Sequence, residues 1–422
     1  MEKLLRPDDT LNNRISYYLL ILLLLSLPFN LFYSHLFLIG LALHTIIQIR
    51  KTTIKPLLTR ANFALAAVFF VTLLSIIYTS NKPQAFTELG RQVTILLIPL
   101  IFCFNPLDLK KYRHKFLLVF SLGCTITITY LFLQAISTIK YYHLPLNALA
   151  SPAFTNHNFS EPLEIHATFF SMQIAIALVY LLYVLVRETV KTRKFFWLTC
   201  CGILAMGVLQ LSSKSIFIAL LLIINIALPL FILKGRNRFR FMAISAALFI
   251  VVMAGIYTRD TFKERYVTEL KKDLSQSTDT ELTDPRLARW SVAISVGAQS
   301  PVIGHGAGTE IGMLKDPFFD HRFYRSYLAG LNAHNQFISF FIKSGIAGLL
   351  IYLCVLVFGI RTALAKRDLL LMAFMVIITA VSFSENFLDV DKGIFFYGVF
   401  FSLLMFSASS ETTGTRTKIL CN

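Results

Sequence analysis

A few ionisable residues sit within or at the edges of long apolar stretches, and their types describe a chemistry. His334, followed by Asn335, heads the run NAHNQFISFFIKSGIAGLLIY. An imidazole at a helix N-terminus faces the positive end of the helix dipole, which favours the neutral, proton-accepting form. The plainer reading is a structural His at the start of the helix. Arg286 and Arg289 are three residues apart in DPRLARW. A guanidinium fork matches phosphate oxygens two at a time, although either arginine would also serve to hold its helix to the rest of the chain. Lys214 lies in LQLSSKSIFIAL, between two apolar runs joined by almost nothing. Hydroxyls, backbone N–H groups and a cation then meet at a helix start, which suits phosphate; the alternative is a snorkelling lysine. Glu88 and Arg91 share TELGRQVTILLIPLIF, as a helix-face ion pair or with Arg91 turned to an anionic substrate. His166 opens the run in EIHATFFS, satisfied by nearby backbone or contacting a sugar or phosphate. Ionisable groups at membrane depth cost roughly 2.5–3.5 kcal/mol, so each is a functional candidate. Together they offer a base able to accept a proton and cations able to neutralise a phosphate-bearing group.

Metal chemistry is not expected. Cys103, Cys124, Cys200, Cys201 and Cys354 lie inside apolar runs, Cys421 lies in the tail, and no C-x-x-C occurs. Such cysteines read as small hydrophobes, not as zinc ligands or a disulfide framework. Asp389 and Asp391 fall on the last outside connection, but the first has no Asp-x-Asp, so the expectation is a metal-free mechanism with no cofactor. GHGAGT at 304–309 lacks the Lys-Ser/Thr of a phosphate-binding loop and follows no strand, which leaves a tight turn.

Long apolar elements must position these groups. Of 422 residues 56% are hydrophobic and 15% charged, against about 45–50% and about 25% in soluble domains. A large water-soluble enzyme and a disordered chain are both excluded. The 39 Phe point to lipid-facing surface. About 20 apolar residues cross a bilayer, and twelve candidate spans result: 16–34, 35–49, 61–79, 91–106, 115–139, 166–186, 195–212, 214–233, 239–258, 335–360, 368–384 and 392–408. The second and fourth are short. The first has no small-residue cleavage site and reads as a retained helix. The fold class is therefore all-α, a polytopic integral membrane protein.

Basic residues set the orientation. With the N-terminus inside, the inside segments carry Lys3, Arg6 and Arg14; Arg50, Lys51, Lys55 and Arg60; Lys110, Lys111, Arg113 and Lys115; Arg187, Lys191, Arg193 and Lys194; Lys234, Arg236, Arg238 and Arg240; Arg361, Lys366 and Arg367; and Arg416 and Lys418. The short outside connections carry almost none, which puts both termini in the cytoplasm. The net charge of +17 is thus a topology signal, and nucleic acid is not needed to account for it.

Two long connections, about 140–165 and 259–333, fall outside. The chain reads as a single transmembrane domain, 1–422, with 259–333 inserted between spans nine and ten. That insert holds ten basic and ten acidic residues. A loop so long in a compact fold implies a function. It predicts a helix over 260–274, the polar linker SQSTDTELTD, and a second helix starting at Asp284-Pro285 with Asp as N-cap and ending near Gln299. The apolar side of that second helix, Leu287, Trp290 and Ile294, would rest on the bilayer surface or cap the bundle. No internal repeat is found.

Spans six to twelve resemble the O-antigen ligase/polymerase superfamily of bacterial envelope enzymes. The resemblance rests on His334-Asn335, nine residues, then Gly345-x-x-Gly348; on Arg286-x-x-x-Trp290 followed by Pro301, Gly304 and Gly306; on His166 in H-x-T-F-F-S; and on ENFLDVDKGIFFYG. The first five spans match only in hydropathy. Where the family often has Ser-Arg, this chain has Ser213-Lys214, which keeps the charge and loses the fork.

The resemblance implies a GT-C-like glycosyltransferase in the bacterial inner membrane, its active site facing the periplasm. A glycan would move from undecaprenyl diphosphate to an acceptor hydroxyl, on a lipid A-core sugar in a ligase. In related branches the acceptor is another repeat unit or a protein hydroxyl. His334 would be the base, with Arg286 beside it in the catalytic set. Lys214, Arg91, Arg289, His166 and Asn335 would contact diphosphate or glycan. The different-class reading is a twelve-span transporter or lipid flippase, which should instead place its charges near the midplane.

Overall fold

The computed structural model describes residues 7–49, 54–273 and 284–408. Lys3, Arg6, Arg50, Lys51, Arg416, Lys418, Cys421 and most of the SQSTDTELTD linker lie outside them. The described residues form helices, turns and loops, with no strand among them. Every expected span contains a helix: α1 Leu11–Ser26, α2 Leu31–Gln48, α3 Arg60–Ser75, α4 Lys82–Phe104, α5 Leu109–Tyr141, α6 Ala167–Arg187, α7 Lys191–Leu211, α8 Lys214–Ile232, α9 Gly235–Thr258, α10 Gln336–Lys366, α11 Leu369–Ser382 and α12 Asp391–Ser407.

Length and composition qualify eight of them, α2 and α4 to α10, as membrane spans. The other four expected spans also contain a helix, each shorter than 18 residues. α1, α3 and α11 are apolar but have only 16, 16 and 14 residues, and α12 opens on Asp391 and Lys392. α4 corrects the short fourth span. It starts at Lys82 and has 23 residues, so Glu88 and Arg91 lie well inside the helix.

Side-chain caps explain many of the starts. Thr10, Asn30, Thr59, Asn81, Asp108, His166, Asn335 and Asp368 each accept a bond from a first-turn N–H. Each cap satisfies donors that the helix itself leaves unpaired. The core is built on α6, whose apolar window is 83% buried, whereas that of α9 is 11% buried and faces outward. Much of the Phe content is interior. Phe395, Phe396, Phe400 and Phe401 of α12 are buried, which revises the lipid-facing reading of that composition.

At one end of the bundle the basic segments meet. Arg113 there grips Asp368 with two bonds, and Lys55 caps α4 through the carbonyls of Phe102 and Asn105. The connections between α1 and α2, α3 and α4, α5 and α6, α7 and α8, α9 and α10, and α11 and α12 lie at the other end, which carries the candidate residues.

α10 is broken. Gly345 has φ 61° and ψ −162° inside it, a region only glycine occupies readily. The groups freed by the break are paired by the loop 301–306. The amides of His305 and Gly306 donate to Ile342 and Lys343 carbonyls at 2.8 Å each, and those of Ile346 and Ala347 donate to Pro301 (2.8 Å) and Val302 (3.3 Å). Non-helical backbone at membrane depth is tolerated where protein satisfies it in this way. Gly345 of the Gly-x-x-Gly motif and the glycines of the expected tight turn thus form one joint. A Cβ on Gly304 would stand 2.5 Å from the Lys343 carbonyl carbon, and one on Gly345 would collide with the Val302 carbonyl. Gly345→Ala is therefore expected to cost about 1–3 kcal/mol in backbone strain alone. The measurement is thermal unfolding in detergent, with a midpoint equal to wild type as the contrary result.

The insert forms helices Asp260–Lys263, a π-turn at Glu264–Thr268 and Glu269–Asp273, then Arg286–Gly297, Glu310–Asp320 and Tyr324–Leu328. One expectation is corrected here. Asp284 does not cap the Arg286 helix; its carboxylate takes the amide and hydroxyl of Ser326, at 2.7 and 2.6 Å. The buried face of that helix is Arg289, Val292, Ala293 and Val296, while Leu287 and Ile294 are exposed. This face packs on Ile338 and Ile342 of α10, with Leu314 and Phe318, and so caps the bundle.

Candidate active site

His334 occupies the peptide before α10 with φ 48°, a left-handed conformation that needs support in a non-glycine residue. Its neighbours supply it. The Ala333 amide donates to Glu310 (3.0 Å), the Ala333 carbonyl accepts from the Trp290 indole (3.0 Å), the His334 amide donates to the Asn332 side chain (3.0 Å), and the Asn335 amide donates to the Asn386 side chain (2.8 Å). Asn335 itself caps α10, accepting from the amides of Phe337 and Ile338. Its side-chain oxygen is thereby engaged by the first turn of the helix.

The imidazole Nδ1 lies 3.2 Å from Glu385 Oε2. With Glu385 accepting, Nδ1 carries the hydrogen and Nε2 keeps its lone pair. Burial pushes the Glu385 carboxyl up, but the hydrogen bond and charge of His334, with His166 and Arg286, outweigh burial and hold it below its ordinary value. A carboxylate there stabilises an imidazolium as it forms.

Arg286 reaches the same turn. Its Nη1 donates to the Ser384 carbonyl at 3.1 Å, and its Nε is 3.7 Å from Asp273 Oδ2. Lys214 stands 3.0 Å from that Asp273 oxygen and 3.3 Å from Glu269. Arg289 lies behind, 6% exposed, its Nε and Nη1 without a hydrogen-bond partner. Burial, then the charge of Arg286, lowers its pKa to about 10. Arg91 does not pair with Glu88. It binds the Asp389 carbonyl (3.1 Å) and lies 3.9 Å from Asp391, at the far end of the turn whose near end holds His334 and Arg286.

His166 caps α6 through Nδ1 and stacks edge-on against His157, ring centres 4.1 Å apart. Burial and Arg265 push the His157 imidazole down. Its signal in the sequence is weak: a histidine in a loop. Arg265 was equally hidden in a stretch of mixed charge.

The clearest omission is Lys343, buried in α10. Its Nζ lies 2.7 Å from Asp389, 3.6 Å from Glu88 and 3.8 Å from Glu310. A lysine inside an apolar run was the available sign. Glu310 also takes bonds from Asn386 (3.0 Å) and Ser339 (2.5 Å), so this cluster braces the His334 peptide from below. Among the described residues no group of three or more His, Cys, Asp and Glu is placed to hold a metal ion.

Residues 199–353 of the 422 match the family described as O-antigen ligase, which is consistent with the superfamily the motifs resemble. The match contains Lys214, Arg286, Arg289, His334, Asn335, Gly345 and Gly348. No curated protein matches the chain.

Proposed function

We propose that this chain is a polytopic membrane glycosyltransferase of the O-antigen ligase type. It moves a glycan from undecaprenyl diphosphate to a hydroxyl of an acceptor, a lipid A-core sugar, at the periplasmic face of the bacterial inner membrane. The observation that carries this reading is the convergence of His334 and Arg286 on adjacent residues, Glu385 and Ser384.

The acceptor hydroxyl approaches His334 Nε2. As its oxygen bonds to the anomeric carbon, the proton passes to the imidazole, and Glu385 holds the resulting cation. The bond from the anomeric carbon to the phosphate oxygen breaks, and undecaprenyl diphosphate departs with the electron pair toward Arg286, Lys214 and Arg289. Attack opposite the leaving group inverts the anomeric centre. Arg91 and His166 flank the same turn as glycan contacts. Fixed cations take the role a divalent ion has in other transferases, so turnover is expected to survive thorough chelation. The candidate groups gather at one end of the bundle, where chemistry needs them and a transporter does not.

The test is a null strain whose envelope glycolipids are separated on a gel. Loss of long chains with the core intact supports the ligase. Cores that retain one repeat unit would assign a polymerase instead, and an unchanged ladder would remove the reading.

A further inference from the structure

The cations assigned to the donor diphosphate already hold anions supplied by the chain. Asp273 Oδ2 lies 3.0 Å from Lys214 Nζ and 3.7 Å from Arg286 Nε. Glu269 Oε2 lies 3.3 Å from Lys214 Nζ and 2.5 Å from an Arg265 Nη. The order is Arg265, Glu269, Lys214, Asp273, Arg286, with signs alternating. Glu269 and Asp273 are four residues apart, so they project from one helix face as neighbours. Resting on the proposed function, we infer that these two carboxylates occupy the seats of the two donor phosphates and leave when the donor binds, and that Arg265 is a further diphosphate ligand.

Two observations support exchange over permanent clamping. The side chains of Glu269 and Asp273 are 38% and 29% exposed, so they can turn out to water at little cost. Buried nitrogens around them remain without partners, Nε on Arg265 and Nε and Nη1 on Arg289. Buried unpaired guanidinium nitrogens are unfavourable, and a ligand richer in oxygens than two carboxylates relieves them.

The experiment measures binding of farnesyl diphosphate and of inorganic pyrophosphate to the full-length purified protein by calorimetry. The proteins compared are wild type, Glu269→Gln/Asp273→Asn, Lys214→Ala and Arg265→Ala. Each part-exposed ion pair is worth at most about 1 kcal/mol, so the double variant should bind the diphosphate roughly three- to tenfold more tightly. Lys214→Ala and Arg265→Ala should bind it more weakly. A lipid diphosphate site favours the farnesyl probe; equal affinity for both probes assigns a site for free pyrophosphate. Unchanged or weaker binding in the double variant makes the carboxylates permanent clamps and overturns the exchange. If neither probe binds wild type, the proposed function fails and this inference with it. The wild-type protein supplies a readout independent of the variants. Hydrogen exchange over 260–273 should rise on adding farnesyl diphosphate, and a fall would overturn the exchange as well.

Discussion

Replacing His334 is expected to lower glycan transfer by about 10²–10⁴-fold, the range of a positioned general base, while the protein remains abundant in the membrane. The choice of replacement matters. The residue sits at φ 48°, where alanine adds backbone strain and asparagine does not. His334→Asn therefore removes the base and keeps the peptide, and His334→Ala removes both. Equal loss of transfer in the two variants, with unfolding of the Asn variant as in wild type, assigns the loss to the imidazole. Full activity in His334→Asn would end the assignment. Glu385→Gln refines the argument. The amide oxygen still accepts from Nδ1, but the charge that stabilises the imidazolium is gone. A hydrogen bond to a charged group is worth about 1.5–3 kcal/mol and a neutral one about 0.5–1.5 kcal/mol, so kcat should fall roughly tenfold, and the acid limb of the pH–rate profile should move to lower pH. A limb that stays in place would mean that Glu385 acts only on geometry.

How far this site was legible depends on distance along the chain. His334, Arg286 and Lys214 were visible because a single ionisable residue at the margin of an apolar run is costly wherever it sits. Their partners were not visible. Glu385 lies 51 residues from His334, and Asp273 lies 59 from Lys214. Nothing in either local stretch indicates that the two ends meet. The pairing of Glu88 with Arg91 failed for a related reason. Three residues apart on a helix permits an ion pair, but Lys343 of α10 and the turn at 389–391 compete for the two side chains and win. The helices were legible from hydropathy alone. The break at Gly345 was not, because its cause is the carbonyl of Val302 and the amides of 305 and 306, brought in by a loop some 40 residues earlier. Glycine spacing announced a constraint and left its form open.

Arg286→Ala is expected to reduce donor turnover by about 10²–10³-fold, the loss that follows removal of one preorganised charge from a departing anion. The geometry also allows a modest role, since Nη1 donates to the Ser384 carbonyl and would brace the turn that carries Glu385. Arg286→Lys separates the two. Lysine keeps the charge and can still reach a carbonyl, but it cannot grip a phosphate with two parallel bonds. A phosphate ligand predicts that Arg286→Lys raises the donor KM and lowers kcat, with the acceptor KM and the acid limb of the pH profile as in wild type. A brace predicts the reverse: near-normal donor use in the Lys variant, and in the Ala variant an acid limb displaced because Glu385 has lost its hold on the imidazole. Displacement of the limb without a donor effect would move Arg286 from the leaving group to the support of His334, and Lys214 and Arg289 would then carry the diphosphate.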